Sequence, residues 1–120
     1  MMATDERAPG LIAREQLLDL SDQLGPSVCH DFLLNFIGMW NGRLERLRQA
    51  VAGADDDAAM DVVLSIKISS QMAGAARLAA LAACAEKRLV ASGARELAQL
   101  LIIMADCGRE TMSCLRDSLD

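Results

Sequence analysis

The chain has 120 residues, 52% hydrophobic and 24% charged, which suits one globular domain and leaves little room for a second. With 20 Ala and 18 Leu against 13 Val, Ile and Thr together and three aromatic residues, it favours helices and nearly excludes an all-β or α/β domain. A net charge of −5 argues against a nucleic-acid binder, and one His with no Tyr makes most metalloenzyme and hydrolase constellations hard to assemble.

Residues 1–10 carry Asp5, Glu6, Arg7 and Pro9 without an apolar run, so they read as a flexible tail and not as a signal peptide. The remainder, 11–120, reads as a single helical domain. Leu11 to Leu24 has an irregular helical pattern, which Gly25-Pro26 breaks. Pro26 suits the first turn of a second helix. Along that helix Val28, Phe32, Phe36, Trp40, Leu44, Leu47 and Val51 form a stripe about seven turns long. It holds all three aromatic residues, and it reads as a core anchor sooner than as a cofactor cage.

Ala52-Gly53-Ala54 ends that helix, and one of Asp55, Asp56 and Asp57 caps the next. Three adjacent carboxylates at a helix start are a capping and solubilising turn, not a metal site. A third helix is predicted from Asp57 to Met72, with a break at Gly74. A fourth covers Ala75 to Val90 with Leu78, Leu81, Ala85 and Leu89 inward, and Ser92-Gly93 makes a turn. The last runs from Ala94 to Ser118, with Leu97, Leu101, Met104, Gly108, Thr111 and Leu115 on one stripe. The predicted architecture is all-α, an antiparallel up-and-down four-helix bundle with a short extra N-terminal helix.

The longest apolar runs, Leu78–Ala85 and Leu100–Ala105, fall far short of the ~20 residues a membrane span needs. Cys29, Cys84, Cys107 and Cys114 lack CxxC spacing and read as reduced, mostly buried thiols of a cytoplasmic protein. No metal or other cofactor is expected.

The third helix carries the most information. At about 100° per residue, Val62, Val63, Ile66, Ser69, Ser70 and Ala73 fall on one side, the predicted core face. Met60, Leu64, Lys67, Ile68 and Gln71 fall on the other. Three of those five are large and apolar, so this side is either covered by a neighbouring element or docks a partner.

Leu64-Ser65-Ile66-Lys67-Ile68-Ser69-Ser70, then Gln71-Met72-Ala73-Gly74-Ala75, then Leu78, Leu81 and Glu86, resembles the histidine-containing phosphotransfer (HPt) domain family. Its signature reads H-x-L-K-G-S-S-x-x-x-G-A-x-x-L, followed by a helix ending in an acidic residue. Phe36, Trp40, Arg43, Leu47 and Ala50 of the preceding helix are similar too, and the likeness spans about residues 15–118. Lys67, Ser69, Ser70, Gly74 and Ala75 match the pattern. The family's phosphorylated histidine, however, is Leu64 here, and an alkyl side chain has no nucleophilic nitrogen. The glycine that leaves room for a receiver's active site is Ile68. Lys67, which in the family offsets the phosphate's charge, is left as a solvated charge or a contact to an acidic partner.

The resemblance therefore implies a degenerate HPt-like signalling module of bacterial two-component systems and not an enzyme. It would bind a response-regulator receiver domain or a sensor histidine kinase through Met60, Leu64, Lys67, Ile68 and Gln71, without transferring phosphate. Two other readings stand beside it: transfer through His30, and a homodimer closed by Leu64 and Ile68. His30 should face solvent, about 160° from the aromatic stripe, and nothing around it resembles the family's site. Ser65 would need a different kinase. Arg43, Arg46 and Arg48 with Glu45 read as a mixed-charge surface, so neither nucleic acid nor membrane is an expected partner.

Overall fold

Gly25, Gly53, Gly74 and Gly93 divide the described residues into five α-helices. They are α1 (Arg14–Leu24), α2 (Pro26–Ala52), α3 (Asp56–Met72), α4 (Ala76–Ser92) and α5 (Ala98–Leu119). A 3-10 turn, Ala94–Leu97, leads into α5. These elements come from a computed structural model that describes residues 10–119. No strand occurs among the described residues. The predicted tail at 1–10 lies outside them except for Gly10, which is exposed.

Helices α2 to α5 pack in sequence order, and α5 closes back onto α2, which makes the four-helix bundle. Helix α1 lies against α2 and α3. The core is built from the inward stripes, including Leu33, Phe36, Trp40 and Leu47 of α2, Val63 and Ile66 of α3, Leu78 and Ala82 of α4, and Met104 and Leu115 of α5. Alanines at 59, 82 and 85 are fully buried, so helices approach closely where they face one another.

The long α2 stripe is buried only in its middle. Phe36, Trp40, Leu44 and Leu47 are buried, Phe32 and Val51 are half-buried, and Val28 is exposed. A four-residue step turns about 400°, so each step drifts by about 40° around the helix. Over seven turns the stripe leaves the core at its ends, where Cys29, Leu33 and Ala50 take the inward places. Leu11 to Ala13 lie ahead of α1 in non-helical backbone, although Leu11 and Ile12 still pack on the core.

The acidic turn has structural roles beyond solubility. Asp55 caps α3, its Oδ1 accepting the Ala58 N–H at 3.0 Å. Asp56 reaches across the bundle, and its Oδ1 accepts the Ala94 N–H at 2.8 Å. This ties the start of α3 to the turn after α4, where Gly93 has φ +88°. An Asp56→Ala variant leaves the Ala94 amide without its acceptor, and we expect a loss of about 1 kcal/mol in urea unfolding. Asp57→Ala, which breaks no such bond, should stay within about 0.5 kcal/mol.

Gly74 makes the α3–α4 turn with φ +71°, a conformation that favours glycine. Its carbonyl accepts the Ala13 N–H at 2.7 Å. A Cβ at this position would lie 3.0 Å from the Ala13 carbonyl oxygen and 3.1 Å from Leu17 Cγ.

Candidate functional site

Helix α3 has a buried side and an open side. Val62, Val63, Ile66, Ser70 and Ala73 are buried, as their positions on the helix require, while Ser69 is half-buried. Opposite them, Leu64, Lys67, Ile68 and Gln71 share one continuous face. Ile68 is 53% exposed and Gln71 is exposed, whereas Met60, Leu64 and Lys67 are half-buried. Met60 packs on the core from its outer edge. The open apolar part of the face is therefore narrower than the sequence implies, centred on Ile68 with Leu64 beside it.

Lys67 is not a free solvated charge. Its Nζ donates to Glu86 Oε1 of α4 at 2.6 Å, and both side chains are partly covered. The pair ties Lys67, three residues along α3 from Leu64, to α4 and fixes its ammonium there. A salt bridge this accessible adds at most about 1 kcal/mol to stability, so its main effect is on where the charge sits.

Met72 belongs to this face, and a groove lies between α3 and α2. Met72 is 47% exposed, and it falls about 80° from Leu64 on the helix, a signal already present in the spacing. Met39 of α2 is exposed and lines a groove of about 660 Å³ between α2 and α3, with Arg46, Gln49, Asp61 and Ser65. Ser65, next to the Leu64 position, thus opens toward α2.

Arg43 is corrected from surface to interior: it is 8% exposed. Burial, and then the nearby charge of Arg46, pull its guanidinium below the usual arginine range. Its Nε and Ser70 Oγ are buried without hydrogen-bond partners among the described residues. Buried polar atoms of this kind cost stability, and α2 and α3 each carry one.

His30 is exposed on α2, and the buried faces of its neighbours Cys29 and Leu33 point elsewhere. All four cysteines are free: Cys29 and Cys107 are buried, while Cys84 and Cys114 are exposed. The expectation of mostly buried thiols thus holds for two of them. Burial pushes the Cys107 thiol up, and Thr111, whose Oγ1 lies 3.8 Å from Sγ, acts the other way. Among the described residues no group of three His, Cys, Asp or Glu side chains could hold a metal ion. Nor is any described helix long and apolar enough to cross a membrane.

The remaining motif residues frame the α3 face. Ser69 and Ser70 lie on its last turn, and buried Gly74 and Ala75 form the bend into α4.

Comparison with known proteins agrees with this geometry. The Hpt domain family profile matches residues 31–119. A solved HPt domain, from a Shewanella hybrid sensor histidine kinase, superposes with a TM-score of 0.79 at 13% identity, covering 91% of this chain and 93% of that one. Comparison with curated proteins finds no match. With the family profile covering most of the chain and the same helical bundle in the solved relative, the protein belongs to the HPt domain family, the modules of phosphorelay signalling.

Proposed function

We propose that this HPt domain is a docking module that holds a response-regulator receiver or a sensor kinase on the outer face of α3 and passes no phosphate. The observation that carries the reading is the composition of that face. Where the family motif calls for an imidazole and a glycine, this chain presents Leu64 and an exposed Ile68. A leucine offers no lone pair to phosphorus, and the branched Ile68 side chain fills the approach to it. What the pair does supply is apolar area next to a fixed ammonium, the composition of a small recognition patch.

Binding to purified receiver and kinase domains by calorimetry, with Ile68→Asp and Leu64→Asp as controls, tests this. Each change should weaken binding about tenfold or more, because a carboxylate would be desolvated at the centre of the contact. Incubation with a phosphorylated receiver should leave the chain unlabelled. Binding that ignores both substitutions refutes the docking face. Acid-labile label that disappears in His30→Gln refutes the absence of transfer, and a wild-type dimer that Ile68→Asp dissociates assigns the patch to self-association.

A further inference from the structure

The opposite side of α2 carries a second surface. Two adjoining cavities, of about 530 and 410 Å³, share Arg48, Ala105 and Arg109 and form one furrow between α2 and α5. It runs along α5 from Ala98 to Arg116, about 27 Å at 1.5 Å per residue. The half near Ala98 is apolar, with Val51, Leu101 and Ile102, the last 64% exposed; toward Arg116 the lining is mostly polar, and Trp40, Leu44 and Met112 lie buried at its base. No residue lining the furrow lies on α3.

The charge along this furrow runs against that of the whole chain. The chain carries −5, yet Arg48, Arg109 and Arg116 line the furrow, against one lining carboxylate, Asp106. The arginines are held only loosely. Arg48 meets Glu45 at 3.6 Å and Arg109 meets Asp106 at 3.2 Å, both on exposed side chains that exchange partners at little cost.

We infer that the α2–α5 furrow is a second docking site, and that its occupant is an amphipathic helix of another protein with carboxylates flanking its apolar stripe. A furrow about 27 Å long, apolar over the half near Ala98, accepts a helix of about five turns. The row of arginines selects acidic flanks and repels basic ones. A second copy of this chain fits poorly, because a two-fold axis along the furrow would set the arginine row against itself. With this site on one side of α2 and the α3 face on the other, one molecule can hold two partners at once.

The test uses two labelled peptides of about 18 residues with the same Ala/Leu stripe, one flanked by glutamates and one by lysines, titrated into the full chain by fluorescence anisotropy. The glutamate peptide should bind saturably and at least about tenfold more tightly than the lysine peptide. Ile102→Asp, and separately the pair Arg48→Gln and Arg109→Gln, should each weaken it by about tenfold, with helix content unchanged by circular dichroism. Ile68→Asp should leave it within about twofold, which separates this site from the α3 face. Equal affinity for the two peptides overturns the inference, as does an absence of saturable binding or insensitivity to both furrow changes. Self-association that Ile102→Asp abolishes would place a second copy in the furrow and overturn it as well.

Discussion

Gly108→Ala should destabilise the bundle by about 3 kcal/mol in denaturant unfolding, although alanine is the better helix former by about 1 kcal/mol. Gly108 is buried on α5 and faces the indole of Trp40 across the α2–α5 interface. A methyl group there would overlap Cζ2 and Cε2 of the ring. Trp40 is 4% exposed and packed among core side chains, so the ring can yield only by moving toward the α2–α5 furrow and exposing apolar surface. The backbones must separate or the indole must leave its seat, and losing a seated aromatic costs several kcal/mol. The same substitution at Gly38 serves as the control. Nothing lies within 4 Å of a Cβ at that exposed position on α2, so Gly38→Ala should stabilise by about 0.5–1 kcal/mol. A double-mutant cycle with Trp40→Leu should recover part of the Gly108→Ala loss, and strict additivity would show that the two residues do not share the strain.

The largest functional change is expected from restoring what the α3 face lacks. Leu64→His with Ile68→Gly should take acid-labile phosphate on residue 64 from a phosphorylated receiver that binds it. An imidazole at position 64 supplies the nucleophile, and glycine at 68 removes the side chain standing one turn away. Lys67 is already held beside the position by Glu86. Leu64→His alone should be slower by about two orders of magnitude, because a small misplacement of the reacting atoms has that effect on rate. Phosphohistidine mapping by mass spectrometry under neutral conditions reads the result. A double variant that still binds the receiver but stays unlabelled would show that docking sets a different residue opposite the phosphoryl donor.

The helices and their breaks were legible because local rules set them. Gly25-Pro26, the acidic turn and Gly93 each stop or start a helix by their own backbone chemistry. Their angle on α3 set Ile68 and Gln71 on the outer face but left open whether a neighbouring element covers them; both are exposed. Less was legible where two helices meet. Arg43 reads as one charge in a mixed-charge run, and only the packed bundle shows that it is buried. The Lys67–Glu86 pair joins residues 19 positions apart, and no spacing rule announces it. Gly108 fits its stripe as a small residue, but its fit to Trp40 depends on the register between α2 and α5. Ala94 to Leu97 reads as plain helix, whereas the Asp56 bond to Ala94 accompanies a tighter 3-10 turn there.

The bond between Ala13 and Gly74 bears on how the molecule opens. Because the carbonyl of the α3–α4 bend is held by the segment ahead of α1, the N-terminal helix cannot lift without loosening that bend. Leu11, Ile12 and Leu17 would leave the core in the same motion. The N-terminal helix and the bend should behave as one cooperative opening unit in hydrogen exchange, with the Ala13 amide as its reporter. The end of α3 that bears Ile68 and Met72 adjoins the bend, so its opening should be coupled to a segment remote in sequence.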